Sequence, residues 1–353
     1  MARRSWRFHN PARHRAEKQI PCCGHEVKLL LVHDDLQRNI CSEVRRRSVA
    51  ADSGGCFIDS EIIVKPALIS MGTKTDREHN CSSPMNRFHY EMRGLAYWME
   101  CANPFRSTVT ARRLPLGLRI QGYKRDAVGR GLYRRGVHEP GLTKWLLETF
   151  SHSPGGNFLD VGANIGYFSC LLGKLAGPFG KIVSIEPEPF NQRLLETNLR
   201  NNGLLAQVTI HRCAVGAENN TARMGIYNPA NRGRHSLVDL EPCKKFIEVP
   251  VRPLDELLKG SGVTSWTLMK MDVEGFEPYA FQGGPETLSR TNMLALEYAP
   301  AYWSKAGFES AAVFKTLAKY FSRIDRFIDL QLVPITAEEC ARSEMTLDLL
   351  LRH

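Results

Sequence analysis

The rhythm of apolar and polar positions changes near residue 118. Upstream, between residue 1 and about residue 113, no helical or strand period is sustained, and the one apolar cluster of note spans 58–69, with Ile62, Ile63, Val64, Leu68 and Ile69. Downstream, short apolar runs alternate with amphipathic stretches, the pattern of β-α units around a parallel sheet. Residues 157–161 read as a first strand that runs into Gly162-Ala163-Asn164-Ile165-Gly166, and 167–175 as a helix with Phe168, Leu171, Leu172 and Leu175 on one face. Gly177, Pro178 and Gly180 break the chain before a second strand at 181–186 and a second helix at 190–201, which ends before Gly203. Further strands are predicted at 208–211, 266–272 and 293–298, and the nearly continuous apolar run 347–351 supplies a late strand able to close the sheet. The expected fold class is α/β: one doubly wound, mostly parallel sheet over 118–353, preceded by a poorly organised basic extension over 1–117.

One stretch is less regular. Strands are predicted at 223–227 and 246–251, joined by the polar loop 228–239, which carries Arg232, Arg234 and His235. Connections of this length are often functional, so the loop reads either as a substrate-covering element or as a plain surface excursion.

Composition narrows the class without naming a function. The 353 residues, 43% hydrophobic and 24% charged, suit about two domains and exclude collagen-like, fully disordered and membrane-spanning chains. The apolar run 29–32 falls far short of the ~18 residues a spanning helix needs. Arg3, Arg4 and Arg7 follow Met1 with no apolar stretch after them, so no secretory signal is expected and the protein reads as cytoplasmic. Met85, Met92 and Met99 lie close to where organisation begins, so a translation start at one of them is an expectation to weigh beside the full-length chain. Net charge is +10, and residues 1–117 hold 19 Lys and Arg against 12 Asp and Glu, whereas 118–353 hold 28 against 25. The basic excess, densest at Arg45, Arg46 and Arg47, suits an anionic partner, but few aromatics interleave with it and no nucleic-acid-binding motif is visible. Six of the ten cysteines (Cys22, Cys23, Cys41, Cys56, Cys81 and Cys101) fall in this region with His25 and His33, at no common zinc-ligand spacing, so free thiols are expected.

The chemistry concentrates at two strand ends. Asp160-Val161-Gly162-Ala163-Asn164-Ile165-Gly166 sits at a strand-to-helix junction, where glycine lets the backbone approach a ligand closely. Glu186 ends the next strand, 26 residues after Asp160, where a carboxylate can hold both ribose hydroxyls of an adenosine cofactor. The loop departs from the G-x-G-x-x-G of dinucleotide sites and opens with an acid, which suits a cationic ligand better than a diphosphate; no Walker motif occurs. The cationic S-adenosylmethionine is therefore the expected cofactor. The second signal is Lys270-Met271-Asp272-Val273-Glu274-Gly275-Phe276-Glu277, ending the fourth strand. Asp272 and Glu274 there can serve cofactor and acceptor, or cap the helix that follows.

DVGANIGYFS, IEPEPFN and KMDVEGFEPYAFQGG together resemble the FkbM family of S-adenosylmethionine-dependent methyltransferases, and DAVGRGLYRRGVHEP over 126–140 resembles the segment that leads into that family's domain. The likeness covers roughly residue 118 to the C-terminus. It implies a Rossmann-like class I methyltransferase fold and O-methylation of a hydroxyl group; members of the family act on polyketide hydroxyls and on sugars, including the fucose of rhizobial nodulation factors. Carried over residue by residue, Asp160, Gly162, Ala163, Asn164 and Gly166 match the cofactor loop, Glu186 the ribose-binding acid, and Ala214 the segment beside adenine. Asp272 and Glu274 match the D-V-E-G signature.

A hydroxyl acceptor must lose its proton as the new bond forms, so a carboxylate or histidine is needed within hydrogen-bond reach. Asp272 is the first candidate, Glu274 the second and His235 the third, with Glu139 and Glu297 as further pocket acids. No metal-ligand spacing stands out, so metal-independent chemistry is expected. An RNA methyltransferase that uses the basic first third as an RNA-binding arm is the alternative. An (Asp/Asn)-Pro-Pro-aromatic motif, usual in base-nitrogen methylases, does not occupy the position of Asp272-Val273-Glu274-Gly275.

Overall fold

A computed structural model describes residues 18–22, 25–29, 84–124, 126–226, 235–238, 243 and 245–353. The run Arg45–Arg47, the cluster at 58–69, Cys41, Cys56, Cys81, Arg232 and Arg234 lie outside the described residues. Contacts divide the chain into two units, residues 1–71 and 72–353. In the first, strands β1 (Lys18–Cys22) and β2 (His25–Leu29) pair antiparallel.

The second unit opens upstream of residue 118. A helix covers Pro84–Ala102, and strands β3 (Thr108–Ala111) and β4 (Ile120–Tyr123) form an antiparallel hairpin. A boundary at 118 thus falls between the two strands of one hairpin. Ala111, Leu118 and Ile120 are buried in the same core as Ile165 and Phe168. Two asparagines one turn apart, Asn198 on the helix Pro189–Asn201 and Asn202 at its C-terminal cap, fasten the hairpin: the Asn198 amide accepts from Gln121 N at 2.7 Å and donates to Gln121 O at 2.9 Å. Asn202 treats Arg119 in the same way, at 3.0 and 2.9 Å. Asn198 also donates to the Ile165 carbonyl at 2.7 Å, which ties the hairpin to the glycine loop.

The main sheet is built from β5 (Phe158–Val161), β6 (Ile182–Ile185), β7 (Val208–His211), β11 (Leu268–Met271), β12 (Met293–Tyr298), β13 (Arg323–Ile328), β14 (Gln331–Pro334) and β15 (Leu347–Arg352). Its order is β14-β13-β15-β12-β11-β5-β6-β7. The run from β12 to β7 is parallel, and β15 inserts antiparallel between β12 and β13. This is the doubly wound sheet expected from the sequence, with the late apolar strand in place. Every residue of β5, β6 and β11 is buried, as befits strands with helices on both faces. Alternation along β5 sends Phe158 into one core layer, with Phe168, Leu171 and Leu195, and Leu159 and Val161 into the other, with Met269, Met271, Trp303 and Tyr298. The less regular region is a small separate sheet of β8 (Ala214–Val215), β9 (Asn220–Gly225) and β10 (Phe246–Arg252), ordered β8-β10-β9. Among the described residues, no helix is long and apolar enough to cross a membrane.

Candidate active site

After β5 the chain lays strands outward to β6 and β7, then returns to place β11 on the other side of β5. Loops leaving β5 and β11 therefore diverge, and a crevice opens at their carboxyl ends, the usual ligand site of such sheets. The three strand tips are joined by backbone bonds: Gly162 and Ala163 N–H donate to Ile185 O, each at 3.0 Å, and Asp272 N–H to Val161 O at 3.0 Å. Gly162 has φ +85, and a Cβ there would lie 1.8 Å from the Asp272 carbonyl oxygen. The two signature loops approach this closely because the residue is glycine.

One cavity at these tips is lined by Gly162, Asn164, Glu186, Ala214, His235, Asp272 and Glu274. The structure thus brings seven of the ten predicted site residues around one cavity, from segments more than a hundred residues apart. Asp160, Ala163 and Gly166 do not line it. Asp160 is buried beneath the loop, where its carboxylate accepts from Ser169 Oγ at 2.5 Å, and Ser184 Oγ bonds Ser169 Oγ at 2.8 Å. It fastens the helix Tyr167–Leu175 to the sheet. Ala163 is a core residue, and Gly166, with φ +86, opens that helix at a point where a Cβ would meet Leu195 Cδ1 at 2.6 Å.

Glu186 enters the cavity with both oxygens already engaged once: Oε2 accepts from Asn164 N at 2.7 Å and Oε1 from Glu188 N at 2.9 Å. Burial pushes its pKa up to about 7 against the pull of those two bonds. Asn164 adopts φ +51, which turns its N–H towards Glu186.

The opposite end is a buried charge cluster. The Lys270 side chain, 6% exposed, lies 3.1 Å from Asp272 Oδ2 and 3.4 Å from Glu139 Oε1, with its ammonium 4.9 Å from the Phe168 ring centre. Burial works against the lysine charge, and the surrounding Asp272, Glu139, Asp160 and Glu297 outweigh it, so its pKa is raised. Burial likewise opposes ionisation of Asp272, but Lys270 and a hydrogen bond from Glu297 overcome it and hold the carboxyl below its usual range. Glu297 is driven well above the ordinary carboxyl range, chiefly by the Asp272 charge and then by burial. Burial also raises Glu139 to about 8 despite Lys270, and lowers His138 to about 4. The two neighbouring carboxyls are therefore pushed apart, Asp272 towards its charged form and Glu297 towards its protonated form. Glu297 arrives there through register: Met271 pairs with Leu296, so the next residue of each strand stands side by side. One oxygen each of Asp272, Glu274 and Glu297 fall within 4.8 Å of one another, a spacing that a divalent cation would also accept.

Several wall residues had no sequence signal. Met224, Leu237 and Cys213 line the cavity, delivered by the small sheet, its loop and the turn that leads into it. Glu277 was quoted only as part of a motif, yet it is buried and braces the turn behind Asp272: Oε1 accepts from Val273 N at 3.0 Å and Gly275 N at 3.3 Å, and Oε2 from Trp303 Nε1 at 2.8 Å. His235 is 9% exposed on the cavity wall, which places the described part of that loop, 235–238, against the site.

The profile of the methyltransferase FkbM domain matches residues 160–332. A 74-residue stretch is 32% identical to a protein-L-isoaspartate O-methyltransferase of Aeropyrum pernix, over 21% of this chain and 28% of that protein; the chain thus matches well under a third of that relative's length. Among solved structures, similarity extends to an O-methyltransferase from Bacillus cereus in complex with SAH, at 11% identity and TM-score 0.36 over 62% of this chain and 83% of that one. It extends also to the O-methyltransferase TomG from Streptomyces achromogenes, at 15% identity and TM-score 0.36 over 61% and 81%. Residues 160–332 thus match the methyltransferase FkbM domain, a family of S-adenosylmethionine-dependent methyltransferases.

Proposed function

We propose that the protein transfers the methyl group of S-adenosylmethionine to a hydroxyl oxygen of a small molecule or a sugar. The observation that carries this reading is the pairing, in one cavity, of the buried Glu186 carboxylate with the Lys270-held Asp272 at the opposite wall. The donor set fits the cofactor. Glu186 has acceptor capacity left for ribose hydroxyls, since each oxygen takes a single backbone N–H. Ala214, Cys213 and Met224 offer an apolar wall for adenine, and the acidic end suits a sulfonium and an ammonium.

When bound, S-adenosylmethionine supplies an electrophilic methyl whose bond to sulfur breaks with the electron pair left on sulfur. The protein's part is to position the acceptor oxygen in line and to take its proton. Asp272 is ionised and accepts that proton; Glu274 and His235 stand on the same wall as the second and third candidates. A carboxylate with a low pKa is a weak base, yet it suffices here. An oxygen gaining a carbon bond becomes strongly acidic, so transfer to Asp272 runs downhill once the bond has formed. Nothing in this sequence of steps needs a metal.

The test is transfer of tritiated methyl from S-adenosylmethionine to a panel of methyl glycosides, hydroxylated polyketides and RNA, with and without a chelator. Label in an ether-linked methyl of a glycoside or polyketide, unchanged by the chelator, is expected. Label in RNA alone, falling steeply with salt, would replace this reading with that of an RNA methyltransferase.

A further inference from the structure

The turn that carries the acidic signature is strained and clamped from two sides. Glu274 has φ +53 and Gly275 φ +96; the left-handed conformation costs a non-glycine residue roughly 1 kcal/mol or more, so something must hold it. Behind the turn, buried Glu277 takes the N–H groups of Val273 and Gly275. In front, the clamp comes from a different part of the chain: Ser236 Oγ donates to the Glu274 carbonyl at 2.6 Å. That hydroxyl also accepts from Val238 N at 2.9 Å, so its single proton is committed to Glu274. Ser236 is 2% exposed, and its carbonyl accepts from Gly225 N at 2.8 Å at the end of β9. Its neighbours on either side, His235 and Leu237, line the cavity with Asp272 and Glu274.

We propose that Ser236 is a positioning residue for methyl transfer. Its hydroxyl fixes the Glu274 carbonyl, holds the turn that presents Asp272 and Glu274, and registers the cavity wall of His235 and Leu237 against that turn. The fold thereby couples the loop between β9 and β10 to the acids that begin on β11, segments that share no strand pairing with each other. The role in turnover rests on the methyltransferase reading above; the coupling of loop to turn does not.

The experiment compares the full-length protein with Ser236→Ala and Ser236→Thr. Amide hydrogen exchange reads the clamp directly. In Ser236→Ala, the amides of Val238, Gly275 and Phe276 are expected to exchange roughly five- to tenfold faster, the weight of one hydrogen bond, while those of β5 and β6 stay unchanged. Calorimetry with S-adenosylhomocysteine is expected to give a Kd within about threefold of wild type. Turnover, with methyl α-L-fucopyranoside as the probe acceptor, should fall by about 10- to 100-fold in kcat, the cost of a misplaced reacting group. Ser236→Thr, which keeps the hydroxyl, should restore both exchange and kcat. Unchanged exchange in Ser236→Ala would overturn the proposal, as would a kcat loss matched by lost cofactor binding, or a Thr variant no better than Ala. A wild-type protein that methylates no glycoside at all would defeat the acceptor reading instead, and exchange alone would then decide on Ser236.

Discussion

Two carboxylates line one cavity from either side of β5, and burial opposes the ionisation of both, yet their pKa values move in opposite directions. Glu186 takes hydrogen bonds from the N–H groups of Asn164 and Glu188, but desolvation prevails, helped by the nearby Glu188 charge, and its pKa climbs to about 7. Asp272 meets the Lys270 ammonium at 3.1 Å and is held below the ordinary range despite burial. Residue type is nearly the same; the partner decides the charge. A carboxyl poised near neutrality among fixed dipoles suits reversible binding of hydroxyl groups. One locked as an anion by a buried cation suits accepting a proton in every turnover.

The largest effect separates the two ends by function. Asp272→Asn keeps the shape and removes the proton acceptor, so turnover should fall by roughly 10²–10⁴-fold with S-adenosylmethionine affinity little changed. Stopped turnover assays and calorimetry on the same preparation check it. Near-normal turnover would pass the role to Glu274 or His235.

The second effect is expected on binding rather than rate. Glu186→Ala removes a charge-capable acceptor and should weaken S-adenosylmethionine binding by about 10- to 100-fold. In the unsubstituted protein, ribose hydroxyls donate best to the ionised carboxylate, so affinity should rise as pH climbs through about 7 and flatten above it; the Ala variant should lose that dependence. The linkage to stability has the opposite sign. With a native pKa raised above the model-compound 4.5, Glu186 in the free protein weighs nothing against folding below pH 4.5, costs stability progressively up to about 7, and levels off beyond. Calorimetric titration at several pH values decides; an affinity flat across neutrality would remove Glu186 from the ribose.

The same contrast governs what the sequence reveals. The glycine loop and Glu186 are local: strands β5 and β6 are continuous apolar runs because helices cover both faces, and the candidate residues follow from the ends of those strands. Asp272 and Glu274 are visible for the same reason. Glu139 and Glu297 are also legible as pocket acids, but their meeting with Lys270 and Asp272 is not, because it depends on the β11–β12 register and on a helix start 131 residues before Lys270. Asp160 shows how a correct motif can mislead on detail: the acid that opens the loop is spent on Ser169 under the sheet. Edge strands were equally hidden. β13 and β14 are only partly buried, and Arg323, Asp325 and Arg326 interrupt the apolar pattern, since Asp325 is neutralised in place by Arg323 and Arg352. The hairpin β3–β4 is likewise specified from afar, by the amides of Asn198 and Asn202.

The smallest effect at neutral pH tests whether Lys270 is what separates the two carboxylates. Lys270→Met keeps most of the side-chain volume and removes the ammonium. Asp272, Glu139, Asp160 and Glu297 then face one another without a counter-ion, and burial with mutual repulsion makes them hold protons to higher pH. The acid limb of kcat/KM should therefore move upward, by roughly one to two pH units: turnover is lost sooner as pH falls and returns towards the unsubstituted value once Asp272 ionises again. A variant damaged by collapse of the site would be slow at every pH, so recovery in alkali distinguishes the two causes. Affinity for S-adenosylmethionine should still turn over near 7, because Glu186 takes its shift from burial and backbone bonds at the other end of the cavity. If both limbs moved together, the two carboxylates would be one coupled system, and the division between a binding end and a proton-accepting end would have to be given up.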